Sequence, residues 1–211
     1  MRKRKTQIGI FGGSFDPPHL GHLIVAEYLC GAAELDKVIF VPAFQPPHKL
    51  GNYSATAAQR IAMIRLAVRG NAMLAVSDYE IQRRGISYTV DTVEEFSRQY
   101  PDAELSLILG LDSFHEFATW KTPEKIVLTV RLLVYPRSGY DSPSGNPFFQ
   151  HAEFVSAPLV DISSGMIRRR VSSGKSIRYF VPEPVERFIL SHHLYAGGGA
   201  KRQKMKREIP R

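Results

Sequence analysis

The sequence predicts an α/β fold: a doubly wound, mostly parallel sheet with helices on both faces. Short apolar β runs alternate along the chain with stretches of three- and four-residue periodicity, the pattern of βαβ units. The first β run ends in Gly12-Gly13 directly before a helical pattern. No internal repeat appears at any solenoid period, so a stacked-repeat architecture is excluded.

Taken in order, Ile8–Phe11 is a short strand closed by Gly12-Gly13 and the rigid stretch Asp16-Pro17-Pro18. Leu20, Leu23, Ala26 and Cys30 recur at helical steps after it. Val38–Val41 is a second strand, closed by Pro42 and the breaker-rich loop Gln45-Pro46-Pro47-His48-Lys49. Ala55–Arg69 reads as a helix, Leu74–Val76 as a weak strand and Thr89–Tyr100 as another helix. Leu105–Leu109, stopped by Gly110, and Leu132–Tyr135 are further strands. Residues 138–150, rich in Ser, Gly, Pro and Asn, read as a surface loop. Ser164–Ser172 and Pro184–Ser191 are late helices, and Gly197–Gly199 opens a frayed tail. Strands alternating with covering helices make a Rossmann-like sheet, whose ligands sit beyond the carboxyl ends of the strands where strand order reverses. Chemistry is therefore expected just after Phe11 and Leu109.

The 44% apolar and 23% charged residues are ordinary globular values and exclude a disordered chain. The single cysteine, Cys30, excludes a disulfide framework and a Cys-based zinc cluster. No apolar run approaches the roughly 18–20 residues of a membrane span, and residues 6–13 are too short and Gly-broken for a signal peptide core. These features point to a cytoplasmic protein without membrane insertion. The net charge of +8 resides at the ends: Arg2–Lys5 carry four positive charges and the tail from Gly197 a net five, which leaves −1 for the body. A groove-binding basic platform is thereby excluded, although the two basic ends suit weak polyanion contact. The expected organisation is a basic arm over 1–6, one domain over 7–196 and a flexible basic tail over 197–211.

The densest chemistry lies in Gly12-Gly13-Ser14-Phe15-Asp16-Pro17-Pro18-His19-Leu20-Gly21-His22. Two glycines let the backbone approach a ligand without a Cβ in the way. The helix N-terminus that follows offers unpaired N–H groups and the positive end of a dipole, a natural anion site. His19 and His22, three residues apart, share a face if both lie in the first turn, and paired imidazoles suit charge developing on a phosphoryl group. Gly-Lys-Ser/Thr is missing, so this is not a Walker loop, and the glycines do not space as the dinucleotide fingerprint. Asp16, before two prolines, reads as a turn-fixing acceptor.

Gly-Ser-Phe-Asp-Pro-Pro-His-Leu-Gly-His resembles the H-x-G-H signature of the nucleotidyltransferase superfamily. Further motifs follow in order: Pro46-Pro47-His48-Lys49, Ser87-Tyr88-Thr89-Val90-Asp91-Thr92, Gly110-Leu111-Asp112, Trp120, Arg137-Ser138-Gly139 and Ile162-Ser163-Ser164-Gly165-Met166-Ile167-Arg168. Together they are similar to bacterial nicotinate mononucleotide adenylyltransferases over about residues 7–195. The resemblance implies adenylyl transfer from ATP to nicotinate mononucleotide, giving nicotinate adenine dinucleotide and pyrophosphate, in NAD biosynthesis. It implies catalytic roles for His19, His22, Lys49 and Arg168. It implies ATP contacts at Gly12, Gly13, Ser14, Phe15, His22, Gly110, Asp112, Ser163, Ser164, Ile167 and Arg168. The nicotinate mononucleotide would meet Ser14, Lys49, Ser87, Tyr88, Thr89, Trp120 and Arg137. The chain departs from the family pattern at Gly165, where the family has Thr, so a hydroxyl contact to phosphate is lost while a backbone N–H remains.

Residue geometry supports part of this set independently. Of Arg168, Arg169 and Arg170, only Arg168 at i+4 shares a helix face with Ser164; the other two read as a solvated edge. Ser163-Ser164 suits a helix cap. Lys49 by itself reads as a surface lysine; the resemblance makes it a point charge aimed at phosphate, which a Pro-Pro tether suits. Trp120 reads as a core aromatic from composition alone, and the resemblance makes it a stacking partner for the pyridine ring. Cys30 reads as a small buried hydrophobe, and His192-His193 as complementing a helix C-terminus. No carboxylate cluster resembles a metal cage, so Mg²⁺ is expected to arrive with ATP. The competing readings are an adenylyltransferase for nicotinamide mononucleotide or phosphopantetheine, and a non-catalytic nucleotide sensor that binds RNA or DNA.

Overall fold

The computed structural model describes residues 4–47, 53–140 and 145–197. Six strands form one sheet: β1 (Thr6–Gly13), β2 (Lys37–Pro42), β3 (Leu74–Val76), β4 (Ala103–Gly110), β5 (Arg131–Tyr135) and β6 (Ala152–Phe154), in the order β3-β2-β1-β4-β5-β6. Every neighbouring pair is parallel, and Ile10 lies between Ile39 of β2 and Leu107 of β4. The chain winds outward from β1 to β3 and then returns to β4 on the other side. The switch in strand order falls between β1 and β4, so the crevice opens where Gly12-Gly13 and Gly110 end their strands.

Eight α-helices cover the sheet: α1 (Leu20–Ala32), α2 (Ala57–Ala67), α3 (Tyr79–Arg83), α4 (Thr89–Gln99), α5 (Leu111–His115), α6 (Pro123–Thr129), α7 (Ser164–Ser172) and α8 (Glu183–Ser191). The period of two along each strand sorts side chains between faces. Ile8, Ile10, Leu105, Leu107, Leu109, Leu132 and Val134 pack against Val90, Val93 and Phe96 of α4 and Ile126 of α6. Phe11, Phe40, Ile108, Leu133 and Tyr135 point the other way, onto Val25, Ala26, Leu29 and Cys30 of α1 and Ile64 of α2. Cys30 is buried, as its place on the apolar stripe requires. A third, smaller cluster joins Met63 of α2 to Ile167, Val185, Ile189 and Leu194, which docks the two late helices onto the domain. Among the described residues, no helix is long and apolar enough to cross a membrane.

Helix starts follow local chemistry. Thr56 and Gln59 close a reciprocal box at α2: the Gln59 N–H donates to Thr56 Oγ1 (3.3 Å), and the Thr56 N–H donates to Gln59 Oε1 (2.9 Å). Three short helices and β6 go beyond the sequence reading. Helix α5 spans only five residues, too few for periodicity to register. For α6 a signal was present, because Thr122-Pro123 places proline in the first helical turn. The apolar run from Ile126 to Tyr135 is thereby divided between a helix ending at Thr129 and a strand starting at Arg131.

Several boundaries are corrected. The loop expected over 138–150 ends in Phe148, which packs edge-on against Phe117 at 5.2 Å and so belongs to the hydrophobic cluster. Arg170 is not a solvated edge: it lies 4.7 Å over the Phe180 ring and its Nε donates to the Ser176 carbonyl. The N-terminal arm is shorter than expected, because Thr6 already begins β1 and Arg4 pairs with Asp36 at 2.6 Å. Residues 1–3, and the basic tail from Ala200 with the two glycines before it, lie outside the described residues.

Candidate active site

A cavity of about 930 Å³ opens at the switch point, within the size range of ligand pockets. Its floor is the β1–α1 turn, and the shape of that turn follows from a chain of contacts. Phe15 adopts a left-handed φ of +48° and its ring is buried, 1% exposed, against Phe11 and Phe40. A non-glycine residue there is strained and persists only when its surroundings over-determine it. The surroundings do. Arg60 Nη1 donates to the Ser14 carbonyl (2.9 Å), Arg168 Nη1 to the Asp16 carbonyl (2.6 Å) and Ser164 Oγ to the Pro17 carbonyl (2.8 Å). The Asp16 carboxylate accepts from the Ser54 N–H (2.8 Å), the Ala55 N–H (3.2 Å) and the Tyr195 hydroxyl (2.7 Å). Asp16 is an acceptor, as expected, but its donors come from the 54–55 segment and Tyr195 rather than from its own turn.

The two histidines follow from this turn. His19 is the N-cap of α1 and His22 the third helical residue, and their rings stack with centroids 3.6 Å apart. Gly21 makes that possible: a Cβ there would meet His19 Nδ1 at 3.1 Å. The His19 N–H donates to His22 Nδ1 (3.1 Å), which leaves the His22 proton on Nε2. The helix N-terminus is less open than the sequence suggested, because the Leu20 N–H is taken by the Phe180 carbonyl at 2.9 Å. Burial, and then the nearby positive Arg137, pull the His19 pKa down to about 3. His22 is also held well below the usual imidazole range by burial, His19 and Arg137, in that order. Both rings are therefore neutral near pH 7. A bound triphosphate would offset the charge of Arg137 and raise both values.

These shifts carry a pH signature. Below about pH 6.5 the unfolded histidine binds a proton that folded His19 refuses until about pH 3, so stability is lost as pH falls through that window. The melting temperature is expected to drop between pH 7 and pH 5, with a shallower drop in His19→Gln. Equal slopes in thermal scans would contradict the buried neutral imidazole.

Helix α7, bonded to the turn through Arg168 and Ser164, supplies a further part of the lining. Ser163 caps it, its Oγ accepting from the Met166 N–H (3.2 Å), and Ser163, Ser164, Gly165 and Arg168 line the cavity. At Gly165 an added Cβ would meet nothing nearer than Arg169 Nη1 at 3.5 Å, so the missing Thr side chain left space rather than a repacked contact. Gly12, Gly13, Ser14, Gly110, Asp112 and Arg137 complete this half, with Arg137 Nε 3.7 Å from Asp112 Oδ1. The other half holds Tyr88, Thr89 and Trp120. Tyr88 caps α4 and carries Lys121 Nζ 4.3 Å above its ring, and Trp120 packs at 5.3 Å against Phe117.

One expected contact is corrected and two are narrowed, since Phe15 and Ser87 do line the cavity. Ile167 is fully buried in the third cluster and its N–H bonds the Ser163 carbonyl, so it anchors α7 and does not face the cavity. The Phe15 ring is core, which leaves only its backbone to a ligand. The Ser87 hydroxyl is engaged, accepting from the Phe44 N–H (2.9 Å) and the Gln45 N–H (3.4 Å), so Ser87 shapes the loop before Pro46-Pro47. Lys49 lies outside the described residues.

Sequence reasoning missed Arg60, Glu80 and Tyr195. Arg60 is 1% exposed, donates to both Ser14 and Ala43 carbonyls, and lies 3.8 Å over the Tyr53 ring. A signal existed, since Arg60 shares the i, i+3, i+4 stripe with Met63 and Ile64, where a cation is out of place. Glu80 is buried in the cavity wall, accepts from Thr92 Oγ1 (2.6 Å), and burial pushes its carboxyl pKa up. Among the described residues no group of three or more His, Cys, Asp or Glu is placed to hold a metal ion. Asp16 and Glu80 are spent on protein donors, and Asp112 lies beside Arg137.

Comparison with known proteins agrees with this geometry. The profile of the cytidylyltransferase-like family matches residues 10–170. A probable nicotinate-nucleotide adenylyltransferase of Thermomicrobium roseum is 43% identical over 196 residues, 90% of this chain and 92% of the relative. The chain belongs to the nicotinate-nucleotide adenylyltransferase family. A probable nicotinate-nucleotide adenylyltransferase of Salinibacter ruber is 41% identical over 89% of this chain and 97% of its own. The fold is that of Plasmodium falciparum nicotinic acid mononucleotide adenylyltransferase complexed with NaAD, at a TM-score of 0.76 and 19% identity over 90% of this chain and 97% of that one. As a nicotinate-nucleotide adenylyltransferase family member the chain is a nucleotidyltransferase.

Proposed function

We propose that the chain transfers the adenylyl group of ATP to the phosphate of nicotinate mononucleotide, giving nicotinate adenine dinucleotide and pyrophosphate. The observation that carries this is one cavity holding the stacked His19–His22 pair, Arg137, and the N-terminus of α7 with Arg168. An oxygen of the mononucleotide phosphate attacks the α-phosphorus, and the bond from that phosphorus to the oxygen bridging to the β-phosphate breaks. The electron pair leaves with pyrophosphate, so no protein nucleophile is needed. The protein's part is alignment and charge stabilisation. Neutral His22, with its proton on Nε2, donates to an α-phosphate oxygen as charge builds. Arg168 and the first N–H groups of α7 meet the departing pyrophosphate. Magnesium would arrive as part of the MgATP substrate and be held largely by phosphate oxygens and water, since no cluster of carboxylates among the described residues is placed to cage it.

Pyrophosphate release from ATP tests the reading against nicotinate mononucleotide, nicotinamide mononucleotide, phosphopantetheine and no acceptor. Highest kcat/KM with the nicotinate substrate supports it. A preference for phosphopantetheine, or nucleotide binding without turnover, refutes it. Trp120 provides a second check. Aromatic stacking on a base is worth roughly 1–3 kcal/mol, so Trp120→Ala should raise the KM for nicotinate mononucleotide about ten-fold with little change for ATP. Equal rises in both would make Trp120 a packing residue for Phe117 alone.

A further inference from the structure

We infer that Tyr195, just after the last helix, is a positioning residue for the transfer reaction, acting through Asp16 on the turn that carries His19. The inference rests on the adenylyl-transfer reading for its rate effect, but its geometry is independent of it. The Tyr195 hydroxyl donates to Asp16 Oδ1 at 2.7 Å across a separation of 179 residues. Tyr195 does not line the cavity, so it has no direct contact with substrate.

Both ends of the link are held in backbone conformations that non-glycine residues rarely adopt: Phe15, next to Asp16, at φ +48° and Tyr195 at φ +62°. Such residues persist where packing over-determines them, and they gather at functional sites. At the C-terminal end, Leu194 is buried in the third cluster and its N–H bonds the Ile189 carbonyl (3.0 Å). That fixes Tyr195 relative to α8. Asp16 then has three donors, two from the backbone of the 54–55 segment and one from Tyr195. The two backbone donors come from one segment. Among the described residues, only the tyrosine hydroxyl ties the carboxylate to the C-terminal helices, while Arg168 of α7 holds the Asp16 backbone carbonyl.

The consequence runs through the turn. His19 follows Asp16 by three residues, and its N–H is bonded to His22 Nδ1, so displacement of Asp16 moves both rings together. Phosphoryl transfer depends on alignment, and misplacement of about 1 Å costs on the order of 100-fold in rate. Losing one of three donors should shift the turn by less than that.

Tyr195→Phe keeps the ring, its packing and its φ, and removes only the hydroxyl. The expected result is a kcat lowered about five- to twenty-fold, with ATP KM within two-fold and melting temperature within a few degrees of wild type. The double variant Asp16→Asn/Tyr195→Phe should be no slower than Asp16→Asn alone. Imidazole nitrogen and proton NMR signals of His19 and His22 in the ligand-free protein should shift in Tyr195→Phe. A kcat within two-fold of wild type overturns the inference, as does a fall in kcat matched by an equal rise in ATP KM. If the wild-type protein releases no pyrophosphate with nicotinate mononucleotide, the acceptor reading fails. The positioning role then stands or falls on the histidine signals: shifted signals sustain it and unshifted ones overturn it.

Discussion

His22→Ala is expected to lower kcat by about 10²–10³ while leaving the KM for ATP within a few-fold, the loss seen when one donor to a developing oxyanion is removed. The magnitude follows from the geometry. His22 lies in the cavity with its Nδ1 occupied by the His19 N–H, so its single proton is on Nε2 and oriented before substrate arrives. No reorganisation is then needed as negative charge grows at the α-phosphate. The substitution also removes the acceptor for the His19 N–H and the stacking partner of its ring. His22→Asn, which can restore one donor, should recover part of the rate. A His22→Ala enzyme within a few-fold of wild type in single-turnover measurements would refute the catalytic assignment.

The second large effect is on stability. Arg60→Met keeps most of the side-chain volume and removes the guanidinium from a site where it is 1% exposed. The Ser14 and Ala43 carbonyls each lose their Arg60 donor, and the buried Asp16 loses a nearby positive charge. A buried acceptor left unpaired costs about 1–3 kcal/mol. The Ala43 carbonyl keeps the Tyr53 hydroxyl as a donor at 3.3 Å, so one unpaired acceptor and the lost charge beside Asp16 give a destabilisation of about 2 kcal/mol. For a chain of this length that lowers the melting temperature by roughly 6 °C. Arg60→Lys should fall between, since an ammonium loses the stacking of the planar guanidinium over the Tyr53 ring. A melting temperature within two degrees of wild type for Arg60→Met would show that neither carbonyl depends on it.

The strongest parts of this protein were legible in its residues. Alternating apolar runs and helical stretches determined a parallel α/β sheet, and Gly12-Gly13 determined where its crevice opens, because both signals are local in sequence. The same locality served the cavity: Ser163 and Ser164 at the start of α7, Arg168 one turn further on, and the His19–His22 spacing were all read from short-range periodicity. The six motifs taken together carried the family. What stayed hidden was every property that depends on a partner far along the chain. The Ser87 hydroxyl on the cavity lining already accepts from the Phe44 and Gln45 N–H groups, and Ile167 sat in a binding motif although its side chain is core. Arg60 drew no reading from its neighbours in sequence; its burial is decided by two carbonyls on other loops. Tyr195 carried no signal at all, because its meaning lies in one carboxylate 179 residues away. Sequence alone determined the main strands and long helices, the crevice and most of the residue types that face it. Tertiary structure decided which of those groups are free for a ligand and which are already spent on the protein, since a buried hydrogen-bonding group must find a partner wherever in the chain it lies.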